Sequence, residues 1–185
     1  MEETESAGQL SELCSPPTSP EKSRLPAPTD DRLIIPAELF VETLAGLAQR
    51  SAGWRESAAI WAGTISEGEW HAERVYFHHE LCDDHGGPLF LELAEDAKFR
   101  LYQQLALEKL RIVALLHTHP EDWVGLSPTD QSNQLSSRLG FWSIVVPNYA
   151  QSRHVLVDMG VHLRSNNGWY QLDLQEIVTR VVVKV

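Results

Sequence analysis

A chain of 185 residues is long enough to bury the core of one domain without the help of disulfides. Its formal net charge of -11 argues against affinity for nucleic acid or anionic membranes, because both require basic surfaces. It has only two cysteines, an acidic N-terminus unlike a signal peptide and no apolar run of membrane-spanning length. We therefore expect a cytoplasmic protein without structural disulfides.

Residues 1–31 differ in composition from the rest of the chain. They are rich in Pro, Ser, Glu and Thr, with the run Ser-Pro-Pro-Thr-Ser-Pro at 15–20. Such a segment buries too little apolar surface to offset its chain entropy. The composition predicts a disordered tail over 1–31 and one folded domain over 32–185.

The folded part is predicted to begin near Leu33 and to mix helices with strands. Helices are predicted from apolar stripes with a period near 3.6, and strands from short β-branched or apolar runs bounded by turn residues. Apart from Arg111 at its start, the run 111–116 is apolar throughout, which indicates a strand buried on both faces. The predicted elements are a helix over 36–49, strands over 57–65 and 70–78, a helix over 92–110, a strand over 111–116, a helix over 127–138, strands over 142–146 and 154–159, and a short helix with a final strand within 169–185. This order predicts a mixed α/β fold with a central sheet flanked by helices.

The most informative residues follow the strand at 111–116. His117 and His119 are two positions apart, so at an extended strand end both imidazoles project to one face. Asp130 falls in the first turn of the next predicted helix, where Ser127 is the expected N-cap. Two imidazoles and a carboxylate suit a zinc ion that keeps a fourth position open for water, as catalytic zinc sites do. The spacing predicts a metal-dependent hydrolase.

A metal hydrolase also needs a base for the attacking water and a donor for the developing oxyanion. Ser127 is placed next to the metal loop, where either its hydroxyl or a neighbouring backbone N–H is available as the donor. Glu56 is the candidate base, because it heads the predicted strand 57–65, which can lie beside the histidine strand.

Together these residues resemble the JAMM motif of the MPN-type (JAB) metalloproteases. That motif is a strand-borne Glu, then His-x-His, seven residues, and Ser-x-x-Asp, and the family's Glu is followed by a small residue three positions on and a Gly seven positions on. Ala59 and Gly63 fill these places, with Ala59 departing from the usual Gly. The resemblance covers about residues 34–159. It implies the MPN fold, with a cytidine-deaminase-like three-layer arrangement.

The resemblance also implies a role for each motif residue. His117, His119 and Asp130 would bind one zinc ion per chain, with water as the fourth ligand. Glu56 would take a proton from that water and pass it to the leaving amine, while Ser127 would help to stabilise the oxyanion. The linkage cut would then be an amide or isopeptide after a C-terminal Gly.

Within the family, the chain is most similar to bacterial members found beside activating and conjugating enzymes of ubiquitin-like systems, some of them in antiviral operons. Segment 140–148 contributes to this similarity, as a looser signal than the metal motif. The implied activity is removal of a ubiquitin-like protein from its target, or trimming of its precursor. Three alternatives remain open: processing of sulfur-carrier proteins that also end in Gly-Gly, a non-catalytic MPN scaffold, and the RadC-like branch. The acidic charge and the absence of Ser-Gly after His-x-His-Pro argue against the last.

Trp123, Val124 and Leu126 lie between the second histidine and Ser127. Apolar residues there are candidates to grip an extended peptide tail by strand addition. Packing of the loop explains them equally well, so both interpretations are kept.

Other residues resemble candidate catalytic or metal-binding residues in sequence. Glu42 opens a stretch like that of the motif's Glu, but it is expected to face solvent from the first helix, and Glu73 is a weaker competitor for the role of base. A cluster with irregular spacing matches no zinc pattern and is interpreted as part of a loop, either a plain solvated one or one that lines a substrate channel; it comprises His78, His79, Cys82 and His85. His154 and His162 are expected to be incidental.

Overall fold

The computed structural model describes residues 29–81, 93–132, 135–152 and 155–185. All but the last three residues of the predicted tail therefore lie outside the described residues. The elements are β1 (Arg32–Pro36), α1 (Ala37–Ser51), β2 (Ala58–Ser66), β3 (Glu69–Phe77), α2 (His78–Leu81), α3 (Glu95–Glu108), β4 (Arg111–Thr118), α4 (Pro128–Ser132), β5 (Trp142–Val146), β6 (Gly160–Ser165), β7 (Gly168–Gln171), α5 (Leu174–Arg180) and β8 (Val181–Lys184).

The strands form an eight-stranded sheet in the order β7-β6-β5-β4-β2-β3-β1-β8. Strands β1 and β3, β1 and β8, and β4 and β5 pair in parallel, and the other neighbours pair antiparallel. The mixed α/β class predicted from the sequence is confirmed. Strand β4 lies between β2 and β5, and its apolar residues Ile112, Val113, Ala114 and Leu116 are buried, as expected for an interior strand.

Helices lie against both faces of this sheet. The indole of Trp61, wholly buried in β2, donates through Nε1 to Thr43 Oγ1 of α1 at 2.8 Å. Ile60 points to the opposite face, because side chains alternate along a strand. Tyr76 is paired with Ile60 and shares that face, and its hydroxyl donates to Glu108 of α3 at 3.3 Å. Helix α1 therefore covers one face and α3 the other.

The strand predicted over 154–159 is wrong. Leu156–Asp158 form a 3-10 turn, and the strand begins only at Gly160. The Asp158 carboxylate accepts a hydrogen bond from the Val155 N–H at 3.1 Å. Such local closure competes with a strand ladder for the backbone donor.

The helix predicted over 127–138 is also too long, since α4 ends at Ser132 and Ser136–Arg138 are not helical. The Ser136 hydroxyl accepts from the Arg138 N–H at 3.2 Å, and the Leu135 carbonyl accepts from the Tyr102 hydroxyl. These bonds hold the backbone in a non-helical path. In the described ranges, every helix is too short or too polar to cross a bilayer.

Candidate metal centre

The backbone that carries the two histidines is held on both sides. His117 pairs with Ala58 of β2 and with Val145 of β5. Beyond the last paired residue, the Thr118 N–H donates to the Ser57 carbonyl and the His119 N–H donates to the Val146 carbonyl, each at 2.9 Å. The predicted projection to one face is confirmed, because the two imidazoles meet edge to face with centroids 4.9 Å apart. Both side chains are buried.

Three ligand atoms converge at this strand end. The Nε2 atoms of His117 and His119 lie 3.2 Å apart; His117 Nε2 is 3.4 Å from Asp130 Oδ1, and His119 Nε2 is 3.4 Å from Asp130 Oδ2. Ligand atoms about 2.05 Å from a tetrahedral zinc ion are separated by about 3.3 Å. The donor set of two nitrogens and a carboxylate oxygen, within 4.8 Å of one another, fits a small divalent cation. In the described part of the chain, no other group of three such side chains has this geometry.

The hydrogen bond on the far side of His119 prepares the ring for a cation. His119 Nδ1 lies 3.0 Å from the carbonyl oxygen of Trp123. Because a carbonyl only accepts, Nδ1 carries the hydrogen, and the lone pair of the neutral ring is on Nε2. This arrangement of a metal-binding histidine and a backbone carbonyl is common in metal sites.

The charges in the cluster are coupled. Burial opposes ionisation of Asp130, but interaction with the side chains of His117 and His119 outweighs it and holds the pKa of this carboxyl far below its usual range. Burial also works to lower the pKa of His119, and the bond to Asp130 outweighs it, so that this pKa is raised. The site thus holds an anionic carboxylate at neutral pH, as a cation ligand must be.

Asp130 is oriented by Ser127. The Ser127 N–H donates to Asp130 Oδ2 at 2.7 Å, and the Asp130 N–H donates to Ser127 Oγ at 3.1 Å. This reciprocal pair is a capping box at the start of α4. It engages the backbone N–H of Ser127, whereas the hydroxyl hydrogen has no acceptor among the described residues and is available for the predicted role of oxyanion donor.

Glu56 lies at the same end of the sheet. Ala58 pairs with His117, and the antiparallel register continued by two residues sets Glu56 opposite His119. Burial raises the pKa of the Glu56 carboxyl above its usual 4.5, while His117 and His119 lower it and Asp130 raises it. Glu56 is therefore a half-buried carboxyl in the electrostatic field of all three proposed ligands.

The three apolar loop residues differ in exposure. Trp123 is 56% exposed, whereas Leu126 is buried and Val124 is intermediate. The Trp123 indole stacks on the His119 imidazole, with centroids 5.1 Å apart and an interplanar angle of 15°. Of the three candidates for peptide contact, only Trp123 exposes more than half of its surface to solvent.

The residues that resemble motif residues in sequence are not part of the metal centre. Glu42 is exposed on α1, as predicted, and Glu73 accepts a hydrogen bond from the Thr64 hydroxyl at 2.7 Å. His79 Nδ1 accepts from Arg50 Nε at 2.8 Å, and burial together with Arg50 lowers its pKa. The predictions for Cys82, His85 and His154 fall outside the described residues.

His162 is part of the floor beneath the metal loop, although the sequence analysis treats it as incidental. It is buried, and among the described residues neither ring nitrogen has a hydrogen-bond partner of good geometry, although backbone groups of Ser143 and Gly160 lie close. An ideal Cβ on Gly160 would lie 2.9 Å from His162 Cε1 and 1.9 Å from the Val124 carbonyl oxygen. A glycine beside a predicted strand is a known sign of such close approach, so Gly160 could have been found from the sequence.

This burial predicts a pH-dependent loss of stability. Burial lowers the pKa of His162 from 6.5 to about 4, so below pH 6.5 the unfolded chain binds a proton that the folded chain does not. Between pH 7 and 4.5 this should lower the free energy of unfolding by about 2.5 kcal/mol. In urea titrations of the metal-free chain, the free energy of unfolding of His162→Leu should fall by about 2.5 kcal/mol less than that of the parent between pH 7 and 4.5. Equal losses in the two proteins would contradict this account.

Comparison with known proteins finds solved structures with a similar overall fold, and it assigns no activity to this chain. No family model matches the chain, and no curated protein matches it. The solution structure of a protein from Desulfitobacterium hafniense aligns with a TM-score of 0.60 at 14% identity, over 82% of this chain and 92% of that one. A protein from Salinibacter ruber aligns with a TM-score of 0.53 at 14% identity, over 81% and 90% of the two chains. At this identity, the likeness indicates a similar fold alone.

Proposed function

We propose that this protein is a metal-dependent peptide hydrolase of the JAMM class with the MPN fold. The observation that carries the proposal is the convergence of His117, His119 and Asp130, whose imidazole nitrogens and carboxylate oxygens approach one another at 3.2–3.4 Å, with one ligand atom of each within 4.8 Å of the others. The half-buried Glu56 at the same strand end supports a hydrolytic rather than a purely structural site.

Each side chain has a role that follows from its position. His117, His119 and Asp130 would hold the cation, which when bound supplies Lewis acidity to a carbonyl and to water. Glu56 accepts a proton from the attacking water and delivers it to the leaving amine. Its raised pKa suits both steps, because it makes the carboxylate a stronger base and makes the protonated acid more accessible near neutral pH.

Ser127 contributes by holding Asp130 in place and by a hydroxyl hydrogen that has no acceptor among the described residues. Its oxygen and N–H hold Asp130 in place, which leaves one O–H donor for the developing oxyanion. Removal of a single oxyanion donor costs about 10²–10³-fold in rate in hydrolases.

The proposed substrate is a ubiquitin-like protein joined through its C-terminal Gly, by an isopeptide bond to a target or by a peptide bond in a precursor. The motif's resemblance to bacterial JAMM proteins supports this class, with activating and conjugating enzymes as candidate partners. Processing of a sulfur-carrier protein is the second candidate. It would use the same residues on a substrate that also ends in Gly-Gly.

The proposal is tested by cleavage of two substrates with the zinc-loaded full chain. One carries a ubiquitin-like protein joined by an isopeptide bond to a lysine peptide, and the other has the same protein extended by a short linear peptide. We expect cleavage after the terminal Gly, its loss with a chelator and its return with zinc. Cleavage that survives complete metal removal would contradict the mechanism, whereas zinc binding without cleavage of either substrate would favour the scaffold alternative.

A further inference from the structure

We propose that Trp123 is a positioning residue of the metal centre, and that Gly160 is required for it to take this role. The inference rests on the proposed function to the extent that His119 binds a metal ion. Trp123 would act on the metal through His119, without touching it.

Two separate contacts from Trp123 restrain the same imidazole. Its backbone carbonyl lies 3.0 Å from His119 Nδ1, which sets the tautomer and the direction in which Nε2 points. Its indole lies nearly parallel to the ring, at 15° and 5.1 Å between centroids, which restrains the tilt of the ring plane. The bond and the stack together leave the imidazole little freedom about either side-chain torsion.

The other histidine, His117, lacks a comparable restraint on its Nδ1 atom in the described part of the chain. His117 Nδ1 is buried and has no hydrogen-bond partner among the described residues. Within the described ranges, the polar contacts of its ring are those of Nε2 with Asp130 and with His119. Of the two histidines, only His119 therefore has an outer hydrogen bond through Nδ1 among the described residues, to the Trp123 carbonyl. Ser127 provides the outer contact of Asp130.

Hydrophobic burial does not explain where the indole lies. Trp123 is 56% exposed, so most of its apolar surface stays in water. The backbone of the loop nevertheless leaves room for the indole, which packs against Gly125 two residues further along. A Cβ on Gly125 would lie 2.6 Å from Trp123 Cζ2, a distance that real Cβ atoms do not show.

Gly160 lets the loop approach the sheet. Its ideal Cβ would be 1.9 Å from the Val124 carbonyl oxygen, which belongs to the residue directly after Trp123. A methyl group there cannot be accommodated by rotating a side chain, because the atom it meets is backbone. An alanine would push segment 123–124 away from β6 and, with it, the carbonyl that holds His119.

Loss of an outer hydrogen-bond partner of a metal ligand weakens metal affinity by about 10–100-fold. We expect Gly160→Ala to fall in this range, because it displaces the Trp123 carbonyl. Trp123→Ala keeps that carbonyl and loses the stack, so its affinity should fall by about tenfold. Trp123→Phe retains an aromatic face and should recover most of the loss.

The experiment measures Zn²⁺ and Co²⁺ binding to the full chain by competition with a chromophoric chelator, together with the visible spectrum of the Co²⁺ form. Trp54→Ala is the matched control for Trp123→Ala, since Trp54 is 60% exposed and contacts Arg55. Gly46→Ala is the control for Gly160→Ala, because its Cβ would lie 2.2 Å from Phe77 Cζ, a close contact on α1 away from the metal centre. Both controls should bind metal like the parent, and both Trp123→Ala and Gly160→Ala should also alter the Co²⁺ spectrum.

The outcomes separate this inference from the proposed function. A parent chain that binds neither metal would overturn both. A parent that binds tightly, with folded Trp123→Ala matching it in affinity and spectrum, would overturn the positioning role alone, as would a folded Trp123→Phe that recovers nothing. Should Gly160→Ala fail to fold, the Trp123 pair still decides the question.

Discussion

Replacing Glu56 with Gln is expected to reduce kcat/KM for cleavage of the isopeptide substrate by about 10²–10⁴-fold, with the metal still bound. The amide cannot take a proton from the attacking water, and Glu56 is not among the three ligands. The measurement compares zinc-saturated parent and variant, with zinc content determined on the same samples. Glu42→Gln is the control, because Glu42 opens a similar stretch but is exposed on α1.

The stability of Glu56→Gln distinguishes a functional carboxylate from a structural one. Burial raises the pKa of Glu56, so the charged form is disfavoured in the folded state and stability is lost as the pH rises through that pKa. A neutral amide removes this cost. The metal-free variant should therefore unfold at an equal or higher temperature at pH 7. Full activity in Glu56→Gln would remove Glu56 from the role of base.

Replacing Asp130 with Asn is expected to abolish most of the stabilisation that zinc confers. A ligand at 1,000 times its dissociation constant stabilises the folded chain by about 4 kcal/mol, and loss of the anionic ligand removes the binding on which this depends. The measurement is the difference in unfolding midpoint with and without zinc. The metal-free variant should itself be less stable at neutral pH, because ionised Asp130 is bound by His117, His119 and Ser127.

Asp122→Asn is the matched control for Asp130→Asn. Asp122 lies on the same loop and is exposed, and its carboxylate accepts from Asn148 Nδ2 at 2.6 Å. It should keep the full zinc-dependent shift. An Asp130→Asn protein with an undiminished shift would contradict the ligand assignment.

Elements bounded by local signals were predictable from the sequence. Strand β5 matches its prediction over 142–146, because five buried apolar residues lie between Gly140, which has a positive φ of 79°, and Pro147. Strand β4 was recognisable as an interior strand, since its apolar run does not alternate. Where local polar bonds redirect the backbone, as at Asp158 and Ser136, prediction failed.

The ligand cluster was predictable because its members are close in sequence. Both histidines share one strand end, and Ser127 and Asp130 are three residues apart in a capping box. The surroundings of the cluster were less accessible to prediction. The stack of Trp123 on His119 depends on the path of the loop, and the floor formed by Gly160 and His162 comes from a strand more than 30 residues further along the chain.

The most direct test of the account is X-ray absorption at the zinc edge, on the full chain loaded with zinc at neutral pH. The account predicts one zinc ion per chain with four nitrogen or oxygen neighbours at about 2.0–2.1 Å, two of them imidazoles. It also predicts the loss of this signal in Asp130→Asn. A chain that retains no zinc, or a zinc ion with sulfur neighbours, would contradict the assignment of His117, His119 and Asp130.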